Sequence, residues 1–326
     1  MNTKLIIVDG HCSTGKSSIS KSVFKQLDRQ LDAYWLHEEC QEHPIREGEF
    51  SFGALDTSEG MELNRTGMLQ KWTSFRNSIL AGGKVCVTEG CLLHAYDRYF
   101  IHSCWNDEQI AGYYDQVIDI IKELNPVIVL LHRPDLRSSL EEAFLARGDW
   151  WRNLMLKRDD LHVYFKDHVY VDENSMFDAI AFEQAKMKQF FEGLTCTKIM
   201  LDTTAADWET YTRQIITKAG GEYKHTQPFM YDPGQFTGTY RLVGGGDDDG
   251  WSISYDEITK CLYSTIFWPF MPMRCISESV FELVSFPVEM RFKGDGNTMR
   301  FSVHGNYDWE YNEREFIREQ NPEGSE

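Results

Sequence analysis

The run Gly10-His11-Cys12-Ser13-Thr14-Gly15-Lys16-Ser17 has residue types and a spacing that could hold phosphate. It fits the phosphate-binding loop pattern (P-loop, or Walker A), in which Gly, four residues and a second Gly precede Lys and Ser or Thr. Backbone N–H groups of such a turn point into one concavity, and a following helix adds its dipole. The pattern predicts that Lys16 reaches the β- and γ-phosphates of ATP or another nucleoside triphosphate, and that Ser17 binds Mg²⁺. The predicted nucleotide-binding residues are Gly10, Ser13, Thr14, Gly15, Lys16, Ser17 and Ser18.

Acidic residues follow two of the apolar runs that read as strands. Glu89 ends the run Val85-Cys86-Val87-Thr88, and Glu38 and Glu39 follow Ala33-Tyr34-Trp35-Leu36. Because ligands gather at the carboxyl ends of parallel strands, these acids are expected beside the loop. Glu89 is the predicted ligand of Mg²⁺ or of its waters. Glu39 is the candidate base that orients an acceptor hydroxyl, with Glu38 as the alternative that the sequence does not separate from it.

A basic segment follows the fourth apolar run. Arg147 and Arg152 stand in it, and cations of this kind suit a mobile lid that neutralises a transferring phosphoryl group. We therefore count both arginines, with Lys16, among the candidate catalytic residues. The alternative is an ordinary helix surface with ion pairs between residues four apart.

The elements that must position these side chains can be predicted from periodicity. Up to about residue 221, apolar runs alternate with helical stretches, which indicates a parallel sheet covered by helices on both faces. The five predicted strands are Leu5–Val8, Ala33–Leu36, Lys84–Thr88, Val127–His132 and Cys196–Leu201. A helix over 110–124 and another starting near Asp207 are the clearest of the helices.

After residue 221 the pattern changes to short β-type runs separated by glycine-rich turns. Six such runs predict a small antiparallel barrel or sandwich. The predicted organisation is a P-loop kinase-like domain over 1–222, a linker over 223–233, the antiparallel β domain over 234–315 and a polar tail over 316–326.

Composition narrows the possible partners. The chain has 326 residues and a formal net charge of −18, which argues against general nucleic-acid binding because phosphate backbones attract clustered cations. The eight cysteines form no CxxC pair, and no apolar stretch is long enough to span a membrane. A cytoplasmic enzyme acting on a small molecule is the expectation, and the oligomeric state stays open.

Several motifs together resemble the deoxynucleoside kinase and thymidylate kinase group. They are Val8-Asp9-Gly10 before the loop, Glu89-Gly90-Cys91, Tyr96-Asp97-Arg98-Tyr99-Phe100 and the arginines after the fourth strand. The resemblance covers about residues 3–220 and implies a five-stranded parallel sheet in the order 2-3-1-4-5. It also implies Glu39 as the base, Asp97 or Arg98 near the acceptor, and Arg147 and Arg152 in the lid. Gly90 departs from the group, which places an arginine there.

The β domain resembles small barrel modules appended to serine hydrolases, through Phe236-Thr237-Gly238-Thr239-Tyr240 and Phe281-Glu282-Leu283. This likeness implies a lipocalin-like accessory domain without chemistry of its own. The function predicted for the whole chain is ATP- and Mg²⁺-dependent phosphate transfer to a small acceptor, of the nucleoside or nucleotide kinase type. A sugar- or antibiotic-modifying kinase and a nucleotide-binding regulatory or ligand-sensing protein are the alternatives.

Overall fold

The structure is a computed structural model that describes residues 1–46, 55–94, 98–157, 164–225, 227, 229–246, 249–307 and 309–319, without the side chains of Arg98 and Asn297. The chain divides into two compact units. The first comprises residues 1–38, 42–142 and 152–224, and the second comprises 39–41, 143–151 and 225–326. The boundary between 224 and 225 falls inside the predicted linker.

The first unit contains a five-stranded parallel sheet in the order β2-β3-β1-β4-β5, which confirms the predicted architecture. Its strands are β1 (Leu5–Gly10), β2 (Ala33–Leu36), β3 (Val85–Glu89), β4 (Val127–His132) and β5 (Thr197–Asp202). Every residue of the central strand β1 is buried, as expected for a strand covered on both faces. Val8 pairs with Glu89 of β3, and Gly10 pairs with Leu131 of β4. The carboxyl ends of these three strands therefore meet at one edge of the sheet.

Helices connect and cover the strands. They are α1 (Lys16–Asp28), α2 (Ser58–Gly82), α3 (Arg98–Ile101), α4 (Asp107–Ile121), α5 (Leu136–Arg147), α6 (Asp149–Leu156), α7 (Tyr164–Asp167), α8 (Glu173–Gly193) and α9 (Trp208–Lys218). The predicted helix over 110–124 corresponds to α4, which begins at a capping box formed by Asn106 and Gln109. The helix predicted near Asp207 is α9, whose N-cap is Asp207. In the described part of the chain, no helix has both the length and the apolar character needed to cross a membrane.

The second unit contains a closed antiparallel barrel of eight strands, two more than predicted. They are β6 (Gly238–Leu242), β7 (Gly250–Asp256), β8 (Cys261–Ser264), β9 (Met271–Ser277), β10 (Val280–Leu283), β11 (Val288–Lys293), β12 (Arg300–Gly305) and β13 (Glu315–Arg318). Each strand pairs with its neighbour along the chain, and β13 returns to pair with β6. The barrel thus has up-and-down connectivity.

Side chains fill the barrel. Inward-facing Tyr240, Phe281, Phe301 and Phe316 have no exposed surface, and the Tyr240 hydroxyl donates to the carbonyl of Phe236 at 2.9 Å. The closing strand β13 lies where the sequence predicts the start of a polar tail. Only four residues form it, so its two apolar side chains give too short a pattern to stand out in a polar segment.

Candidate functional site

The predicted phosphate loop joins β1 to α1, as its pattern requires. Gly10 and Gly15 have φ angles of 145° and 91°, in the region that favours glycine. A Cβ on Gly10 would lie 2.4 Å from the Leu131 carbonyl oxygen, so no other residue fits there. The Thr14 hydroxyl donates to the His11 carbonyl at 2.8 Å and tightens the turn.

Lys16 begins α1 and is buried, and Ser17 and Ser18 occupy the next two positions of that first turn. The first turn of helix α1 contains no acidic residue of its own. Ser13 adopts a φ of 70°, and its carbonyl accepts from the Ser139 hydroxyl at 3.4 Å. The loop therefore leads directly into a helix N-terminus that begins with a buried cation.

Glu89 is fully buried at the end of β3. Its carboxylate accepts a hydrogen bond from the Ser20 hydroxyl, and its Oε1 lies 3.2 Å from His37 Nε2. Burial and the nearby Glu38 raise the pKa of Glu89 to about 7, while hydrogen bonds from Ser20 and Ser17 and the charge of Lys16 oppose this shift. The hydrogen bond from Ser17 means that the two predicted magnesium ligands are neighbours.

The structure distinguishes Glu38 from Glu39. The Glu38 carboxylate is partly buried, with Oε2 3.5 Å from Arg46 Nη1 and 3.7 Å from His94 Nε2. Burial alone would raise the pKa of Glu38. The positive charges of Lys16, His94 and Arg46, in that order of size, together outweigh burial and hold the pKa well below its usual range. Glu39 is exposed and belongs to the second unit. The geometry therefore favours Glu38 as the acid beside Lys16 and Glu89.

Gly90 explains how Glu38 reaches this position. Gly90 has a φ of 58°, and a Cβ placed on it would lie 2.4 Å from Glu38 Oε2. The absent side chain leaves the space that the carboxylate fills. The departure of Gly90 from the resembling group, which has an arginine there, is thus linked to the position of Glu38.

We expect Gly90→Ala to displace Glu38 and to lower turnover about tenfold or more, because small misplacements of reacting groups are costly. The left-handed backbone adds roughly 1–2 kcal/mol of destabilisation. Gly83→Ala is the matched control, since Gly83 also has a positive φ (68°) but no atom within 4 Å of the added Cβ. Steady-state kinetics and urea unfolding of both variants check the prediction. Equal turnover in the two would contradict it.

Asp9 is a further residue of the site, and in the sequence it stands out only as part of the motif Val8-Asp9-Gly10. It is fully buried on β1, and its Oδ2 accepts the backbone N–H groups of Leu92 and Leu93 at 2.9 and 2.8 Å. Burial raises its pKa to about 6, against the opposing effect of these bonds and of Lys16. Asp9 therefore holds the segment that follows Glu89 and Gly90. A lone acid in an apolar strand was the signal for it.

Three further residues of the site belong to no motif that could be recognised in the sequence. His37 and His94 are the imidazoles beside Glu89 and Glu38, respectively. Trp208, at the start of α9, lies against Gly15, where an added Cβ would come within 2.6 Å of the indole. It covers one side of the loop.

The predicted lid arginines have other partners in this structure. The Arg147 guanidinium, at the end of α5, stacks on the rings of Trp151 and Trp268 at 4.5 and 5.3 Å. Arg152 Nη2 pairs with Glu173 Oε2 at 2.5 Å on an exposed surface. Their lid role stays a prediction. Of the predicted acceptor residues, Asp97 and the side chain of Arg98 lie outside the described residues.

His43, near Glu38 in the chain, is buried, and its Nδ1 accepts the backbone N–H groups of Ile45 and Arg46 at 3.1 and 3.2 Å. Burial, helped by Arg46, lowers its pKa from 6.5 to about 3.

In the unfolded chain His43 binds a proton near pH 6.5, whereas in the folded chain it does so only near pH 3. The free energy of unfolding therefore decreases as the pH falls from 6.5 towards 3. His43→Asn, which keeps an acceptor without a titrating ring, is expected to reduce the loss by about 1 kcal/mol at pH 5.5. Urea unfolding of both proteins at pH 7.5 and 5.5 measures this. An identical pH dependence would contradict it.

No protein-family model and no curated protein matches the chain. Among solved structures it is similar to an unliganded sugar kinase from Janibacter sp. HTCC2649, with 12% identity over 67% of this chain and 95% of that one and a TM-score of 0.34. A similarity of this degree is too low to support a statement about activity.

Proposed function

We propose that this protein is a phosphotransferase that moves the γ-phosphate of ATP, or of another nucleoside triphosphate, to a small acceptor with the help of Mg²⁺. The observation that carries the proposal is the grouping of three side chains at the phosphate loop. The charge of Lys16 favours the ionised form of both Glu38 and Glu89, and these acids come from the ends of two neighbouring strands. One cation for phosphate, one acid for metal and one acid for an acceptor are the parts that phosphoryl transfer requires.

The donor side fits a nucleotide and Mg²⁺. The missing side chains of Gly10 and Gly15 let Leu131 and Trp208 approach the loop closely and allow its tight turn. The backbone N–H groups of such a turn are the donors that bind phosphate oxygens. The Ser17 hydroxyl and the Glu89 carboxylate supply the hard oxygen ligands that Mg²⁺ prefers. Bound there, Mg²⁺ would neutralise charge on the phosphates. Lys16 would neutralise part of the same negative charge on the phosphates.

The acceptor side rests on Glu38. Since its pKa lies below the usual range, the carboxylate is ionised at neutral pH and can accept a hydrogen bond from an acceptor hydroxyl. His94 and Arg46 are ion-pair partners within reach of this carboxylate, at 3.7 and 3.5 Å from its Oε2. Arg147 and Arg152 are the proposed lid cations, and Arg152 would have to exchange Glu173 for a phosphoryl group.

The acceptor proposed first is a nucleoside or nucleotide, on the resemblance of the motifs around the site. Sugars and hydroxyl-bearing antibiotics are alternatives on the same chemistry. A regulatory or ligand-sensing role is the alternative outside enzymes. The interior of the barrel does not favour a ligand held inside it, because the inward-facing Tyr240, Phe281, Phe301 and Phe316 fill it and have no exposed surface.

The test is an acceptor panel with the full-length protein. Mg-ATP is incubated with nucleosides, nucleoside monophosphates, sugars and antibiotics, and both ADP and phosphorylated product are measured, with Lys16→Met as the blank. The proposal expects one class to consume ATP with matching product. Robust hydrolysis without any phosphorylated acceptor would overturn it, and ATP-dependent partner binding without turnover would favour the regulatory role.

A further inference from the structure

A buried carboxylate on α8 is connected to the phosphate loop. Glu183 is fully buried, and its two oxygens face two imidazoles. Oε1 lies 3.4 Å from Nε2 of His11, which belongs to the loop, and Oε2 lies 3.0 Å from Nε2 of His102, which follows α3. Both histidines are also buried. Glu183 thus joins the loop to two helical segments that are distant in the chain.

Core packing alone does not require an acid at this position. The buried face of α8 otherwise presents mainly apolar side chains, including Ile180 and Met187 on either side of Glu183. Burying a carboxylate costs several kcal/mol unless partners compensate, and apolar side chains of similar volume usually stabilise as well or better. The position of Glu183 is therefore explained by what its carboxylate holds rather than by packing.

The contact with His11 bears on the shape of the loop. The His11 carbonyl accepts the Thr14 hydroxyl at 2.8 Å, so fixing the His11 ring also fixes the backbone that turns towards Gly15. The next residue of α8, Gln184, donates its amide to the Arg133 carbonyl at 2.9 Å, just past β4. Two consecutive residues of α8 thus hold the segments that follow the neighbouring strands β1 and β4.

We propose that Glu183 is a positioning residue that, through His11, holds the phosphate loop in the conformation that binds the nucleotide. The proposal rests on the proposed function in one respect, that the loop binds a triphosphate. Binding a nucleotide to a mobile loop costs free energy, because the loop must become ordered. A loop that Glu183 already holds in the binding conformation avoids this cost, so Glu183 raises nucleotide affinity without touching the nucleotide.

The test compares Glu183→Gln with Glu282→Gln. In Glu183→Gln an amide replaces the carboxylate at nearly constant volume, so the negative charge and one of the two acceptor oxygens that face the imidazoles are lost. Glu282 is a buried acid in the barrel that pairs with Arg274, and its variant controls for the removal of any buried charge. Two readouts are used: hydrogen exchange of peptides covering residues 10–16 without nucleotide, and the Kd for Mg-ATP without acceptor.

We expect Glu183→Gln to speed exchange in the loop and to raise the Kd about tenfold or more, with neither change in Glu282→Gln. The effect of Glu183→Gln should also disappear in the background of His11→Asn, as it must if it acts through that ring. A folded Glu183→Gln protein with unchanged loop exchange and Kd would overturn the proposal, as would full additivity with His11→Asn.

Two further outcomes are separable. If Glu183→Gln does not fold, His11→Asn alone decides: faster loop exchange and weaker binding support the proposal, and unchanged values reject it. If the wild-type protein does not bind Mg-ATP, the proposed function fails. The exchange of residues 10–16 then still reports whether Glu183 holds the loop.

Discussion

Lys16→Ala is expected to lower the affinity for Mg-ATP, or the turnover, about 10²- to 10³-fold. Lys16 is buried at the start of α1, where its charge adds to the positive end of the helix dipole. Its charge also acts on Asp9, Glu38 and Glu89 and opposes the rise in pKa that burial causes in each of them. Without this cation, the acids would repel the phosphates that the loop attracts. Isothermal titration with Mg-ATP and steady-state kinetics measure the loss.

Lys21→Ala is the matched control for this prediction. Lys21 is a second buried lysine on α1, and its Nζ lies over the ring of Trp35 at 5.3 Å. Its removal costs packing and a cation–π contact but leaves the phosphate loop intact. We expect Lys21→Ala to bind Mg-ATP like the wild type, with lower stability. Equal losses of affinity in the two variants would mean that Lys16 acts through the fold and not on phosphate.

Lys16→Met separates charge from volume at the same position. Methionine retains an unbranched apolar chain, so the fold should be kept while the charge is lost. We expect it to bind as weakly as Lys16→Ala. Recovery of affinity in Lys16→Met would contradict the electrostatic role.

The parallel sheet could be predicted because its signals are local. Buried strands such as β1 appear as continuous apolar runs, and α4 shows apolar residues three and four apart. The strand order is not a local property, and only the resemblance to known kinases supplied it. That expectation is confirmed.

The barrel was only partly predictable. Strand β9 contains Pro272 and β13 has four residues, so neither gives the alternating pattern by which strands are recognised. Both exist because the barrel must close. β13 pairs with β12 and with β6, and these long-range hydrogen bonds compensate for its weak local preference. Closure of a barrel is a tertiary property that no single segment encodes.

The candidate site likewise has a part that local sequence signals predict and a part that depends on the tertiary structure. The phosphate loop and Glu89 follow from spacing along the chain, whereas the choice between Glu38 and Glu39 depends on backbone geometry. The left-handed turn at Gly90 leaves a space in which the Glu38 carboxylate lies. The imidazoles of His37 and His94 reach the site from separate segments, so no motif reveals them.

Glu38→Gln is expected to reduce turnover about 10²- to 10⁴-fold while the Kd for Mg-ATP changes little. The amide keeps the shape of the side chain and one acceptor oxygen, but it cannot take a proton from the acceptor hydroxyl. Lys16 and the loop, which are expected to bind the nucleotide, are left in place. Turnover with the best acceptor of the panel and nucleotide binding without acceptor are the two measurements.

Glu39→Gln provides the comparison, because the two acids are adjacent in the chain and differ in surroundings. Glu39 is exposed, so the loss of its charge should leave turnover within about twofold of the wild type, as is usual for surface substitutions. The reverse result, with Glu39→Gln inactive and Glu38→Gln active, would return the role of base to Glu39. It would also mean that the space at Gly90 serves to hold Glu38 against Arg46 and His94 rather than to present it to an acceptor.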